Sequence, residues 1–292
     1  MIEQIQEAPK RLPSWFRRQI PEISTLGTHR ILEKHNLNTV CESALCPNRS
    51  ECYSNLTATF MILGDVCTRS CGFCAIESGK GQSVMVDEPA RVAAAAREMG
   101  LKYVVVTSVA RDDLPDEGAG HFAATIRALK EEIQDVKVEV LTPDFHAKTD
   151  LIQVVVNAVP DVFNHNLETV ERLQRRVRVQ GRFMRSLSVL ETVKSMNAQI
   201  KTKSGLMLGL GEKEEEVIEA AIALRDVGCD ILTIGQYLPP SRSHLKIIEY
   251  KTPEYFEYLA DKIRPLGFEH VFSGPYVRSS YHAGEFFRKN QN

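Results

Sequence analysis

The run Thr57–Cys74, TATFMILGDVCTRSCGFC, carries a β-branched, apolar segment straight into a loop of thiols. Residues 57–63 read as a β-strand. Cys67, Cys71 and Cys74 follow immediately, in C-x(3)-C-x(2)-C spacing. In parallel α/β proteins the ligand site lies at the carboxyl ends of the strands, so this loop stands where chemistry belongs.

Downstream, strand and helix alternate. Strands are expected over 103–107 (YVVVT, buried on both faces), 136–141, 162–164, 200–208 and 230–234, with a weaker one over 268–272. Helices are expected over 87–99, where Pro89 opens the first turn, and over 117–133, 150–158, 168–176, 182–196, 212–227 and 254–266. Six strand-then-helix units in series predict parallel strands with right-handed crossovers. The pattern alone leaves a barrel, full or partial, and an open doubly wound sheet both standing. Upstream, Pro9, Pro13 and Pro21 punctuate an irregular arm that Trp15 and Phe16 could pin to the body, and a helix is expected over 24–35.

The 292 residues are enough for one α/β barrel or two smaller domains. A formal net charge of −2 and a pI near 6.5 argue against a general nucleic-acid binder. No apolar run approaches the roughly 18 residues that span a bilayer. The N-terminal segment has neither a signal-peptide core nor the composition of a transit peptide, so a cytoplasmic location is expected. There, disulfides are disfavoured and clustered cysteines lean towards metal.

Six of the seven cysteines fall between positions 41 and 74, as two triplets. Cys41, Cys46 and Cys52 stand in C-x(4)-C-x(5)-C spacing, in what reads as a loop with Pro47 and Asn48. Structural zinc takes four ligands, usually as two pairs, whereas each triplet here is one short. An iron–sulfur cluster also takes four, so thiolate ligation predicts two clusters, each with one distinct iron. Cys229, ahead of the apolar run DILTI, reads as a packed core thiol.

The second triplet, with Phe73 before its last cysteine, resembles the signature of radical S-adenosylmethionine enzymes. That resemblance implies a 4Fe–4S cluster on Cys67, Cys71 and Cys74, whose open iron chelates S-adenosylmethionine. An electron from it cleaves the cofactor to a 5′-deoxyadenosyl radical that abstracts hydrogen from unactivated carbon. The first triplet, with CPN at 46–48, resembles the lipoyl synthase family. So do TSVARDDLPDEGAGH (107–121), NHNLETV (164–170), GLMLGLGE (205–212), GQYLPPS (235–241) and VRSSYHAGE (277–285).

The family implies a partial (β/α)6 TIM-like barrel over residues 57–266. An N-terminal extension (1–56) and a C-terminal one (267–292) hold an auxiliary 4Fe–4S cluster. It implies Ser280, the second serine of RSSY, as fourth ligand beside Cys41, Cys46 and Cys52. A hard alkoxide among soft thiolates would mark one iron as exchangeable. A serine capping a terminal helix is the plainer reading. The implied reaction inserts two sulfurs, at C6 and C8 of an octanoyl chain on a lipoyl carrier domain. It consumes two S-adenosylmethionine molecules and the auxiliary cluster's sulfur. The implied partners are that carrier, a low-potential donor such as ferredoxin or flavodoxin, and an iron–sulfur carrier that rebuilds the cluster; neither nucleic acid nor membrane is expected.

Strand-end polar groups are the expected cofactor contacts: Thr107, Ser108, Thr142, Asn164, Asn166 and Glu168, with Phe73 and with Met207 of the glycine-containing segment. Ala110 departs from the family, where an aspartate is expected. His165, His244 and His282 read as hydrogen-bonding scaffold. The six arginines from Arg172 to Arg185 read as a solvated helical face, or as a dock for an acidic protein substrate. A biotin-synthase-like sulfur inserter would lack the first triplet and RSSY. A non-catalytic iron–sulfur carrier would not bind S-adenosylmethionine.

Overall fold

The computed structural model describes residues 11–16, 25–55 and 57–280. The N-terminal part forms α1 (Leu26–Lys34), β1 (Asn38–Thr39), α2 (Val40–Ser43) and α3 (Arg49–Ser54). β2 (Thr59–Ile62) then enters the main sheet, and β3 (Val66–Cys67) pairs with β4 (Glu77–Ser78) as a small separate ribbon. The alternating series follows: α4 (Glu88–Glu98), β5 (Tyr103–Ser108), α5 (Ala119–Glu132), β6 (Lys137–Leu141), α6 (Thr149–Val156) and β7 (Val162–Asn164). It continues with α7 (Gln174–Val177), α8 (Phe183–Met196), β8 (Lys201–Leu208), α9 (Glu214–Asp226), β9 (Ile231–Gln236), α10 (Pro253–Ile263) and β10 (His270–Gly274).

The sheet order is β1-β2-β5-β6-β7-β8-β9-β10. Seven of these strands are parallel and follow chain order, while β1 lies antiparallel against β2. The parallel strands never reverse their order, as a doubly wound sheet would require, and among the described residues the end strands do not pair with each other, so the architecture is a partial α/β barrel. Val104, Val106, Val138 and Val140 are fully buried, as strands covered on both faces require. The helices cover the sheet with stripes at i, i+3, i+4 and i+7: Phe122, Ile126 and Leu129 on α5, and Phe256, Leu259 and Ile263 on α10.

Two expectations change, and the ambiguous last strand is present with shifted bounds. The helix expected over 168–176 shrinks to a 3-10 turn, Glu171–Leu173, and α7. Glu168 takes φ +66° and bridges in parallel to Leu206, so its backbone belongs to the sheet rather than to a helix. The first cysteine triplet is not irregular: Cys41 lies in α2 and Cys52 in α3, with Cys46 in the turn between. The ambiguous last strand runs over His270–Gly274 and extends the sheet beyond β9.

Candidate active site

The thiol loop is pinned on several sides. The backbone amides of Arg69 and Ala110 donate to Cys67 Sγ at 3.4 and 3.3 Å. Gly72 N–H donates to Val177 O at 3.0 Å, and His244 Nε2 donates to Cys74 O at 3.0 Å. Within the loop, the buried Arg69 reaches Asp112 Oδ1 and Asp144 Oδ1, both at 2.7 Å. Burial alone would raise the Asp144 pKa; Arg69, aided by Arg185, outweighs it and holds this carboxyl well below the usual range. Burial pushes the Cys71 thiol up to about 12, against the partial relief of Arg178, and Cys74 to about 11. Without a metal these thiols are therefore protonated at neutral pH, and a cluster binding here must displace their protons.

The parallel register brings Thr107, Leu141, Asn164 and Lys203 into one row across β5 to β8, at the carboxyl ends of β6 and β7. Four of the expected contacts there hold buried polar atoms without a protein partner: Ser108 Oγ, Thr142 Oγ1, Asn164 Oδ1 and Asn166 Oδ1. A buried orphan costs about 1–3 kcal/mol, so four at one sheet end fit a polar ligand that supplies the missing bonds. Thr107 differs, since its hydroxyl donates to Leu141 O at 2.9 Å. Asn164 Nδ2 donates to Glu139 Oε1 at 2.9 Å, and Glu139 is paired with Lys203, all of them buried. That leaves the Asn164 oxygen for a ligand. Phe73 and Met207 pack, half-buried, on the core of the second half of the sheet.

His165 is a scaffold. Its Nδ1 meets Thr142 O at 2.9 Å and must donate to that carbonyl; its Nε2, 2.9 Å from Ser186 Oγ, then accepts. Arg178 donates to the same hydroxyl at 2.9 Å. Burial, reinforced by Arg178, pushes the His165 pKa down to about 4, so the ring is neutral. Burial raises the Glu168 pKa above the ordinary carboxylate value, while Arg178 works against the rise. His282 lies outside the described residues.

A second recess, about 290 Å³ with its opening to solvent, is lined by Cys41, Cys46 and Cys52 together with Asn48, Arg278 and Ser280. Thr57, Ala58 and Thr59 complete its wall. Burial pushes the Cys41 thiol up to about 11. Asn48 Nδ2 donates to Tyr276 O at 2.8 Å, and Phe16 meets the Tyr276 ring edge-on at 5.3 Å, so segments from the N-terminal and C-terminal parts meet beside the recess. Of the two aromatics that could pin the arm, buried Phe16 does so and Trp15 stays exposed.

The donor spacing bears on what each triplet holds. Thiolates on one zinc, each about 2.3 Å from it, stand within about 4 Å of one another. Among the described residues the one set of three or more His, Cys, Asp or Glu ligand atoms within 4.8 Å is Asp112, Glu117 and His146. Arg69 and Lys148 already neutralise that set. Neither cysteine triplet forms such a set among the described residues.

A family model described as the Radical SAM superfamily matches residues 61–224. Lipoyl synthase 2 of Thermosynechococcus vestitus is 52% identical over 282 residues, covering 94% of this chain and 97% of that protein. Lipoyl synthase of Caldanaerobacter subterraneus subsp. tengcongensis is 54% identical over 273 residues, covering 94% and 96%. The chain belongs to the lipoyl synthase family. Among solved structures, methylornithine synthase aligns with TM-score 0.55 at 14% identity, over 89% of this chain and 82% of that one. Streptococcus suis SuiB bound to S-adenosylmethionine aligns with TM-score 0.57 at 15% identity, over 77% and 54%. At such identities they share the fold. As a member of the lipoyl synthase family this protein is a radical SAM enzyme.

Several site residues carried no readable signal. Arg69 and Asp144 look like surface charges in sequence. Arg178 lay in the arginine run read as one face, but the run splits: Arg178 is buried, Arg172 pairs with Glu216 at 2.6 Å and Arg185 with Asp144 at 3.2 Å. Asn48 and Arg278 sat inside the CPN and RSSY motifs, and that adjacency was the available clue. Cys229 is fully buried, as a core thiol should be.

Proposed function

We propose that the protein inserts sulfur at C6 and C8 of an octanoyl chain borne on a lysine of a lipoyl carrier domain. The observation that carries this reading is the recess joining three cysteines near the N-terminus to Ser280, more than two hundred positions away. No local structural role requires that meeting, whereas a four-ligand cluster site does. Cys67, Cys71 and Cys74 would hold the other cluster, on the pinned loop. Thr142, Asn164, Asn166 and Glu168 would take the adenosine end of S-adenosylmethionine. With its cluster, that cofactor supplies a radical able to take hydrogen from an unactivated carbon, which no side-chain acid or base can do.

This chain's own residues hold, orient and exclude. Arg69 and its two aspartates keep the thiol loop fixed, so little reorganisation accompanies binding. Neutral His165 holds the Thr142 carbonyl and takes no proton. Cys41, Cys46, Cys52 and Ser280 would hold an auxiliary cluster able to supply sulfur, and the hard oxygen of Ser280 would mark one of its irons as the most exchangeable. A low-potential electron donor and an iron–sulfur carrier for cluster renewal belong to the same proposal.

The test is anaerobic incubation of the reconstituted protein with S-adenosylmethionine, reductant and an octanoyl-lysyl peptide, followed by mass spectrometry. A thiolated and then a dithiolated peptide should form. Cys41→Ala should still yield 5′-deoxyadenosine and no sulfur insertion. Sulfur insertion by Cys41→Ala, or none by the unaltered protein, would sink the proposal.

A further inference from the structure

Ser279 stands between the two centres. Asn166 Nδ2 lies 2.7 Å from Ser279 Oγ and 3.0 Å from Glu168 Oε1, so its two hydrogens are shared between the hydroxyl and the carboxylate. The other end of that amide, Asn166 Oδ1, is buried without a protein partner. Ser279 is also covalently next to Ser280, which lines the cysteine recess.

The junction has no slack. A Cβ on Gly205 would stand 2.9 Å from Asn166 Oδ1 and 3.2 Å from Ser279 Oγ. A Cβ on Gly235 would stand 2.1 Å from Val277 O. Two neighbouring strands thus present bare backbone where the 277–280 segment meets Asn166, and a side chain on either would lift the segment away.

We propose that Ser279 is a positioning residue that couples ligand occupancy at Asn166 and Glu168 to the hold of Ser280 on its iron. The coupling rests on the proposed function, in which the strand ends bind S-adenosylmethionine and Ser280 is a cluster ligand. A ligand hydroxyl donating to Asn166 Oδ1 polarises the amide and strengthens its N–H bond to Ser279. The 277–280 segment is then held more firmly, and Ser280 with it. With the strand ends empty, Asn166 is under-satisfied, the segment is looser and Ser280 leaves its iron more readily.

The experiment follows iron loss from the reconstituted protein to a ferrous chelator, without reductant, with and without saturating S-adenosylmethionine. The cofactor should slow loss of the auxiliary iron by about fivefold, the low end of ordinary coupling between sites. Ser279→Ala should abolish that slowing while still binding the cofactor. Ser279→Thr, which restores a hydroxyl, should recover it. An undiminished cofactor effect in Ser279→Ala overturns the coupling, as does equal loss with and without cofactor in the unaltered protein. Failure of the underlying reading looks different: Ser280→Ala would not speed the basal loss, or the unaltered protein would hold only about four irons rather than the eight of two clusters.

Discussion

At the scale of one residue, His165 shows how burial selects a chemical role. Its ring spans Thr142 O and Ser186 Oγ, and the Arg178 guanidinium on the same serine disfavours a second positive charge. The folded pKa, about 4, lies below the ordinary 6.5. Between those values the unfolded chain binds more proton than the folded one, so stability is full above 6.5 and is lost as pH falls towards 4. The His165 share is about 3 kcal/mol, since each pH unit separating the two values is worth roughly 1.4 kcal/mol. His165→Gln should remove that share and flatten the pH dependence. Urea midpoints at pH 7.5 and pH 5 check this, and identical pH slopes for the two proteins would discount His165 as the cause.

At the scale of elements, the thiol loop depends on a residue that is not a thiol. Arg69 is inside the loop, and its partners come from the ends of two neighbouring units, Asp112 after β5 and Asp144 after β6. Removing Arg69 leaves the buried Asp144 with Arg185 alone and the more exposed Asp112 with Thr68, so the cost falls at the low end of the about 3–5 kcal/mol of a broken buried pair. Arg69→Gln should cost that much in unfolding free energy, and Arg69→Lys less, because it keeps the charge but loses the fork on Asp112. Equal costs for the two would mean that shape rather than charge matters here. Little of this was legible in sequence. β5 and β6 could be read because strands covered on both faces are uniformly apolar. The thiol loop could be read because its spacing is chemical. Arg69 and Asp144 carry no periodicity, and charges that end buried look the same in sequence as charges in water. The helix expected over 168–176 fails for a related reason: the ladder from Glu168 to Leu206 is a non-local pairing, and helix-like composition does not announce it.

At the scale of the whole molecule, described segments that precede and follow the main parallel series meet each other. Phe16, only 5% exposed, packs on Tyr276 and Tyr250 with centroids at 5.3 and 5.7 Å, and Asn48 bonds to the Tyr276 carbonyl. Tyr53, buried, ties α3 back to the preceding elements, its carbonyl accepting from Thr28 and its hydroxyl 2.6 Å from Thr39 Oγ1. Arg91 on α4 donates to His35 O at 2.8 Å, which joins this assembly to the barrel. Cys41, Cys46 and Cys52 thus stand on the N-terminal part and Ser280 on the C-terminal part, with Phe16 as an apolar clamp on Tyr276. Spacing within either end could not reveal that meeting; the RSSY resemblance alone pointed to it. Phe16→Ala removes about 3–5 kcal/mol of buried packing, but locally, because the barrel core lies elsewhere. On the proposed two-cluster reading, iron in the reconstituted variant should fall from about eight towards about four per chain, with affinity for S-adenosylmethionine unchanged. Hydrogen exchange should quicken together in residues 40–54 and 270–280, and not in β5 or β6. A variant that retains full iron and unaltered exchange in both segments would show that the clamp is dispensable and that the recess is held by the sheet alone.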